Sequence, residues 1–210
     1  MAPLTTRSLR AAAARLAATD PALAGSVARY GPPPLWARDA SFASLVHLIL
    51  EQQVSLASAQ AAFDRLAGAL DGEVQPAALL TLSDDQLRAI GFSRQKTGYA
   101  RGLAAALLDG FDLAALTRLP DDEVRARLTS LKGIGPWTAD IYLTMCLLRP
   151  DAWPHGDLAL ATSAHVVLDL GQRPSFDELG ALAERWHPHR AVAARILWHD
   201  YLRRRGLPTG

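Results

Sequence analysis

Apolar residues recur at intervals of three and four along most of the chain, which is the spacing of one face of an α-helix. The clearest examples are the neighbouring segments Ser41–Gln53 and Ser55–Leu70. Similar spacing or capping signals predict further helices over residues 5–19, 20–30, 83–90, 93–108, 113–118, 121–131, 136–148, 158–170, 175–186 and 190–205. No segment alternates apolar and polar residues as a half-buried strand does. The pattern predicts an all-α fold, a compact bundle of about ten helices.

The number of apolar positions is large enough for a substantial core. Half of the 210 residues are apolar, which excludes a disordered chain. We interpret residues 1–210 as a single domain with two lobes: a middle lobe of about residues 45–145, and a terminal lobe formed by residues 1–44 together with residues 146–210. A cleft between the lobes would place Asp157 near its rim.

Composition excludes several classes of protein. No apolar run reaches the roughly 18–20 residues that span a bilayer, and the N-terminus lacks the apolar block of a secretion signal. We therefore expect a cytoplasmic protein without membrane contact. Cys146 is the only cysteine, which excludes an intramolecular disulfide and a cysteine cluster for zinc or iron–sulfur binding. We expect Cys146 to pack in a core, and we predict no cofactor.

The net charge says little about partners, because 22 basic residues nearly balance 21 acidic residues and leave +1. A nucleic-acid footprint is a local patch rather than a property of the total. Arg203, Arg204 and Arg205 form such a local cluster. They suit either a phosphate-contacting patch or, as we favour, a solvated C-terminal end of a helix, where cations complement the helix dipole.

The stretch from Leu131 to Leu148 is the strongest candidate for a functional element. Gly133 and Gly135 can adopt backbone angles closed to other residues, and Pro136 suits the first turn of a helix. Acidic residues at 121–123 mark the start of the preceding helix, so the sequence predicts helix, glycine-rich hairpin, helix. Such a hairpin directs backbone N–H groups outward and suits a phosphate. An ordinary connection between two helices is the alternative.

Several other residues have more than one interpretation. Asp157 follows Pro154-His155-Gly156 and could cap the next helix or face a cleft. Trp137 could belong to a core or stack on a base. The polar junction at residues 51–55 is favoured as a turn between two helices. Non-catalytic positions are expected for His155, exposed in its loop; for Asp140, Asp169 and Asp200, on the surface or at helix caps; and for Trp186 and Trp198, in the core.

Three segments together resemble one family, the helix-hairpin-helix DNA glycosylases, and within it the AlkA-like 3-methyladenine DNA glycosylase II group. These segments are Leu48–Ser55, Leu131–Ala139 and Gly156–Leu160. A fourth segment, Ala183–Arg190, is similar to the C-terminal helix junction of the family. The four segments occur in the order of the family and with roughly its spacing, so their joint occurrence is far more specific than any one of them.

The resemblance implies base excision repair, in which an enzyme flips a damaged nucleotide into a pocket and cleaves its N-glycosidic bond. Asp157 matches the catalytic aspartate of the family, which stabilises positive charge on the sugar or orients the attacking water. Trp137 would form a pocket wall that attracts cationic bases such as 3-methyladenine and 7-methylguanine. Gln52 matches a pocket residue on the opposite side, and Tyr142 is a further candidate for the pocket lining.

For the DNA contact, the resemblance implies that Lys132, Gly133, Ile134 and Gly135 hold a phosphate beside the lesion. Gln53 matches the position that fills the space left by the flipped base, where some relatives use an apolar side chain; its neighbour Val54 is the alternative. The family often binds a monovalent cation at this hairpin, which here would involve Gly133 and Gly135.

One position bears on the class of reaction. Relatives that also cut the DNA backbone carry a lysine in the second half of the hairpin, where this chain has Trp137. The resemblance therefore implies a monofunctional glycosylase that acts on double-stranded DNA, and we expect it to be a monomer. The alternatives are a non-catalytic DNA-binding protein with the same hairpin, and a glycosylase for another lesion class such as oxidised or mismatched bases.

Overall fold

The computed structural model describes residues 2–209, and all regular structure in this range is helical. The prediction of an all-α fold is therefore confirmed. The twelve α-helices of the described range are α1 Thr6–Thr19, α2 Pro21–Tyr30, α3 Phe42–Glu51, α4 Leu56–Ala69, α5 Pro76–Thr81, α6 Asp84–Ile90, α7 Arg94–Leu108, α8 Asp121–Thr129, α9 Pro136–Ile141, α10 Leu158–Val167, α11 Phe176–Ala183 and α12 Arg190–Arg204. Short 3₁₀ turns cover Ala114–Arg118 and Glu184–Trp186.

Most of these helices begin where the sequence carries a capping side chain. Ser, Thr or Asp oxygens accept a hydrogen bond from a first-turn amide at Thr5, Asp20, Ser41, Ser55, Ser83, Ser93, Asp157 and Ser175. The pair Ser83 and Gln86 forms the reciprocal arrangement that its spacing predicts. Local side-chain chemistry therefore explains most of the helix starts.

Two elements differ from the sequence-based prediction. Helix α5 was not predicted, because six residues are too few to show a helical period, although Pro76 occupies its first turn. The helix predicted over residues 136–148 ends as an α-helix at Ile141 and continues as a π-helical turn, Tyr142–Cys146. The carbonyl of Thr144 in this turn accepts a hydrogen bond of 2.6 Å from Arg195 Nη2. The side chain of Arg195, from another helix, thus bonds to a backbone carbonyl that would bond within the α-helix predicted from the sequence.

The residues up to Ala37 and those from Leu143 onward form one compact unit. Helix α12 is its centre and packs against α1, α2 and α10. Residues 191–200 of α12 are buried without interruption, so this helix has no solvent-facing side along that length. Trp186, Trp198 and Cys146 are buried as expected.

The residues from Arg38 to Tyr142 form the second compact unit. Helix α3 packs against α4 and α7, α5 packs against α7, and α8 packs against α9. Helix α3 ends in the buried run Leu48, Ile49, Leu50 and Glu51, so the polar junction that follows starts from a rigid base. The division into lobes at about residues 45 and 145 within one domain stays a prediction.

Two of the aspartates expected at the surface or at caps are buried instead. Asp140 is 4% exposed and accepts a hydrogen bond from Arg125 Nε at 2.6 Å. Asp200 is 5% exposed and bonds to Ser163 and to Arg204. The prediction is wrong for both, because each carboxylate has a cationic partner that offsets the cost of removing its charge from water. Asp169 is exposed, as expected.

Candidate functional site

Asp157 is the N-cap residue of α10, and its side chain is largely buried, with 9% exposed. Its Oδ1 atom accepts one hydrogen bond from the backbone N–H of Leu160, at 2.8 Å. It accepts a second from the indole Nε1–H of Trp198, at 3.2 Å. Two donors on one oxygen fix the orientation of the carboxylate, and the positive end of α10 favours its negative charge.

The loop before Asp157 is held by aromatic packing and by one glycine. Trp153 is buried, and its ring centroid lies 5.8 Å from that of Trp186. Gly156 has φ +84°, a left-handed conformation that lets the chain turn directly into the cap. His155 is half-exposed, and its Nε2 lies 3.4 Å from a carboxylate oxygen of Asp177. Its exposure agrees with the prediction.

Trp198 reaches Asp157 from α12, which is fixed by a buried arginine one turn earlier. Arg195 has no exposed surface and donates hydrogen bonds to three backbone carbonyls: Leu35 at 2.9 Å, Ala191 at 3.0 Å and Thr144 at 2.6 Å. Burial lowers the pKa of Arg195 to about 10, so its guanidinium stays charged at neutral pH. The bonds to Leu35 and Thr144 join α12 to two other segments of the first unit and so restrict the direction in which its side chains, including the indole, can point.

Trp198 is the site residue that sequence reasoning missed. Its assignment to the core is correct, but its hydrogen bond to Asp157 joins residues 41 positions apart. The helical period places Trp198 on a buried face and carries no information about which polar atom the indole meets there. The only available signal was that a buried indole usually needs an acceptor.

The predicted helix, hairpin, helix arrangement is present in the second unit, where α8 ends at Thr129 and α9 begins at Pro136. Gly133 has φ +95°, and a Cβ atom there would lie 2.2 Å from Cγ of Tyr99. Both observations require glycine at this position. Gly135 has an extended backbone and open space around it, so its residue type is not restricted by packing.

The four residues predicted to contact DNA differ in exposure. Lys132 and Gly135 are exposed, and Gly133 is partly exposed. Ile134 is 4% exposed, and its N–H donates to the carbonyl of Leu131 at 3.1 Å. The side chain of Ile134 therefore packs into the interior of the second unit and anchors the hairpin, while its neighbours form the exposed surface.

Gln52 ties the end of α3 to the hairpin. Its Nε2 donates to the carbonyl of Gly133 at 2.9 Å and to Thr138 Oγ1 at 3.1 Å. Both protons of the amide are thus used within the second unit. Gln52, predicted as a pocket residue, is placed against the hairpin, where it supports the turn.

The turn after Gln52 presents apolar side chains to solvent. Gln53 has φ +60° and is exposed, a left-handed conformation that is uncommon for a residue with a side chain. Val54 is 46% exposed and Leu56 is 60% exposed. The two sequence-based candidates for the wedge, Gln53 and Val54, therefore lie on one exposed turn, to which the structure adds Leu56.

The aromatic candidates differ in accessibility. Trp137 is half-buried in the first turn of α9, whereas Tyr142 has no exposed surface and begins the π-helical turn. Trp137, Gln52 and the hairpin belong to the second unit, and Asp157 and Trp198 belong to the first. Within residues 2–209, no cluster of His, Cys, Asp or Glu suits a metal ion, and no helix is long and apolar enough to span a membrane.

Residues 46–189 match the family model of the HhH-GPD superfamily base excision DNA repair proteins. The chain belongs to the HhH-GPD superfamily. This match confirms the resemblance drawn from the four sequence segments. It spans the buried end of α3, the hairpin and Asp157, whereas Trp198 lies beyond the matched range.

Named relatives of this HhH-GPD chain are similar to it at low identity. DNA-3-methyladenine glycosylase 1 of Schizosaccharomyces pombe is 28% identical over 176 residues, which are 82% of this chain and 77% of the relative. The putative DNA-3-methyladenine glycosylase YfjP of Bacillus subtilis is 26% identical over 164 residues, 74% of this chain. The chain spans only 57% of the length of that Bacillus protein.

Solved structures give the same picture for the fold. The S. pombe 3-methyladenine DNA glycosylase Mag1, in complex with abasic DNA, superposes with a TM-score of 0.83 at 27% identity, covering 89% of this chain and 94% of Mag1. A DNA-3-methyladenine glycosidase from Bacillus halodurans superposes with a TM-score of 0.72 at 30% identity, covering 89% of this chain and 87% of the other. The HhH-GPD chain therefore shares its fold with these proteins.

Proposed function

We propose that this HhH-GPD protein is a monofunctional DNA glycosylase that releases alkylated bases, such as 3-methyladenine and 7-methylguanine, from double-stranded DNA. The observation that carries the proposal is the buried, doubly hydrogen-bonded carboxylate of Asp157. Support comes from the names of the relatives, which include 3-methyladenine DNA glycosylases of yeast and bacteria. We expect the protein to act as a monomer in the cytoplasm.

In this proposal Asp157 acts on the sugar. Cleavage of the N-glycosidic bond leaves positive charge on the deoxyribose, which a nearby carboxylate stabilises directly or by orienting the attacking water. The N–H groups of Leu160 and Trp198 hold the carboxylate before the substrate arrives. A fixed charge of this kind needs no reorganisation when the sugar becomes positive.

The base-binding part of the proposal rests on Trp137. An alkylated purine carries positive charge, so it needs little protonation to leave and is attracted to the face of an indole by roughly 0.5–2 kcal/mol. Trp137 is partly open to solvent, as a stacking wall requires. Gln52 contributes by holding the hairpin from which α9 starts. Tyr142 stays the further candidate for the pocket lining, in a position that is fully buried before DNA binds.

The DNA-binding part of the proposal rests on the hairpin and the exposed turn. Lys132, Gly133 and Gly135 would hold a backbone phosphate without reading sequence. Gln53 or Val54 would enter the stack when the damaged base leaves it, at an unstacking cost of a few kcal/mol. A monovalent cation bound at Gly133 and Gly135 remains part of the proposal for this hairpin.

Substitution of Asp157 tests the catalytic assignment. Asp157→Asn keeps an oxygen that can cap α10, because asparagine is as good an N-cap as aspartate, but it removes the charge. We expect base release from methylated duplex to fall by about 10²-fold or more, while binding to abasic-site DNA is retained. Asp157→Ala should lose activity equally and also about 1 kcal/mol of stability, because the cap is removed.

Free methylated bases, measured by chromatography, give the readout. Release at the wild-type rate by Asp157→Asn would end the catalytic assignment. DNA binding by wild-type protein without any base release would instead favour the non-catalytic DNA-binding alternative. Release confined to oxidised or mismatched duplexes would favour the other lesion class.

The expected lack of strand cleavage is tested separately. The two lysines of the chain are Lys96 and Lys132, and the second half of the hairpin carries Trp137. We expect borohydride to trap no covalent adduct between the protein and damaged DNA, because no lysine is placed to form a Schiff base with the sugar. A strong adduct that disappears in Lys132→Gln would reveal a lyase and overturn the monofunctional assignment.

A further inference from the structure

A small cavity lies in the second unit beside the exposed turn at residues 53–56. Its volume is about 80 Å³, which suits a small polar group or a few water molecules. The lining residues are Leu50, Val54, Ser58, Ala59, Ala62, Arg65, Gly91 and Lys96. The polar side chains among them are two cations and one hydroxyl, and no carboxylate is included.

Both cations are held in place by helix ends. Lys96 Nζ donates to the carbonyl of Leu50 at 2.7 Å, and Arg65 Nε donates to the carbonyl of Ile90 at 2.8 Å. A Cβ atom on Gly91 would lie 3.0 Å from Arg65 Nη2, so the guanidinium packs directly against the backbone there. Their positions are therefore set by the fold rather than left to solvent.

Each cation retains donors after these contacts. A lysine ammonium has three N–H donors and an arginine five, and each side chain has spent one of them on a carbonyl. Burial lowers the pKa of Lys96, which indicates that the ammonium is partly desolvated without a neighbouring anion. Within the described part of the chain, neither cation has a carboxylate at ion-pair distance.

The acidic side chains of the neighbouring helices are engaged elsewhere. Glu51 is paired with Arg38 at 2.7 Å, and Asp64 accepts from Gln60. Asp85 is paired with Arg88, and Asp84 with Arg101. The cavity is thus a locally cationic pocket, because its lining holds two cations and no carboxylate.

We propose that Arg65, Lys96 and Ser58 form a binding site for one phosphodiester group of the DNA backbone, separate from the hairpin. The site suits a singly charged phosphate because it offers two cations and a hydroxyl donor. Its volume of about 80 Å³ leaves room for one such group. It shares the side chain of Val54 with the exposed turn. The phosphate bound here would belong to the DNA that this turn enters, so the inference rests on the proposed function.

A charge introduced into the cavity, compared with the same charge outside it, tests the site. Ser58 lines the cavity, whereas Ala105 on α7 is exposed and does not line it. Ser58→Asp and Ala105→Asp change the net charge equally. With an abasic-site duplex as the probe, we expect Ser58→Asp to weaken binding at least tenfold and Ala105→Asp to weaken it much less.

The salt dependence of binding gives the second readout. The slope of log K against log salt falls by about 0.9 for each phosphate that the protein no longer neutralises. Arg65→Gln should reduce the slope by about that amount, whereas Arg88→Gln, an exposed arginine paired with Asp85, should leave it unchanged. Urea unfolding of each variant shows whether the fold is kept. Lys96→Arg should retain most of the affinity, because arginine keeps a positive charge at this position and can also reach the carbonyl of Leu50.

The outcomes separate this inference from the proposed function. Equal binding by Ser58→Asp and Ala105→Asp, with base release intact, would overturn the phosphate site and leave the glycosylase assignment standing. A shift of the Ser58 amide resonance by inorganic phosphate, without any change in DNA affinity in Arg65→Gln, would overturn the assignment to the DNA backbone. Failure of the wild-type protein to release bases would count against the glycosylase, and the binding comparison would still decide the site.

Discussion

The carboxylate of Asp157 has two roles: it caps helix α10, and in the proposed function it supplies the negative charge used in catalysis. As an N-cap it satisfies an amide of α10, and as a buried carboxylate it holds a charge where water is largely excluded. Burial of an isolated carboxylate is costly, but here the helix end and the indole of Trp198 offset that cost. The residue is therefore compatible with a stable fold before any substrate binds.

The indole of Trp198 is expected to act as a positioning group for Asp157. Trp198→Phe keeps the ring in the core but removes the N–H donor to Oδ1. We expect base release under single-turnover conditions to fall about tenfold, which corresponds to about 1.4 kcal/mol, while the affinity for abasic DNA is unchanged. The rate falls because a donor that orients the carboxylate is gone.

A matched control exists in the same unit. Trp186 is also buried and donates its indole N–H to a carboxylate, Asp20 Oδ2, at 2.8 Å. Trp186→Phe should cost similar stability in urea unfolding but should leave base release per folded molecule at the wild-type rate. A parallel decrease of activity in both variants would mean that Trp198 contributes only to the fold.

At the residue level, the features that the sequence predicts are those that depend on local chemistry. Asp157 was identified both as a cap and, from the resemblance, as the catalytic candidate, and its capping geometry is present. Its partner Trp198 was missed, and the burial of Asp140 and Asp200 was mispredicted, for one reason. The hydrogen bond of Trp198 and the burial of the two aspartates depend on contacts between residues far apart in the sequence. Neither the helical spacing nor the composition shows which residues make those contacts.

Among the elements, the hairpin between α8 and α9 is restricted most tightly at Gly133. Gly133→Ala places a methyl group 2.2 Å from the ring of Tyr99 in a left-handed conformation. We expect the free energy of unfolding to fall by about 2–4 kcal/mol and binding to abasic DNA to be abolished, because the hairpin must shift. Urea unfolding and fluorescence anisotropy measure the two effects.

Gly135→Ala serves as the comparison for stability. Its backbone is extended, and nothing lies within 4 Å of the added methyl group, so the unfolding free energy should change by less than about 0.5 kcal/mol. A destabilisation as large as that of Gly133→Ala would show that the hairpin is restricted by its glycine content in general rather than by the contact with Tyr99.

The elements themselves were largely predictable, since caps and helical periods are local signals. Helix α5 is too short to show a period, and in the π-helical turn Tyr142–Cys146 the carbonyl of Thr144 bonds to Arg195, a residue of another helix. Elements that are short, or that exchange backbone hydrogen bonds with distant side chains, are the ones that a sequence pattern misses.

At the scale of the whole molecule, three partly buried histidines link stability to pH. Desolvation is the largest cause that lowers the pKa of His47, His189 and His199 below 6.5. The unfolded chain therefore binds more protons than the folded one as the pH falls below 6.5, so stability decreases towards acid. We expect the unfolding free energy in urea to be lower at pH 5.5 than at pH 7.5.

A histidine variant identifies the source of this dependence. His199 packs between the rings of Tyr30 and Trp36, each with a centroid at 6.3 Å. His199→Gln should make the decrease of stability between pH 6.5 and 5.5 smaller, by up to about 1.4 kcal/mol per pH unit for one group. An unchanged dependence in His199→Gln would assign the effect to other groups.

The chain enters the second unit after Ala37 and leaves it at Tyr142, and the guanidinium of Arg195 bonds to the carbonyls of Leu35 and Thr144, one just before and one just after that excursion. One side chain thus joins the two segments of the first unit that flank the interruption of its chain. In sequence, the second unit is an insertion into the first, and Arg195 is the clasp between the two flanks of that insertion.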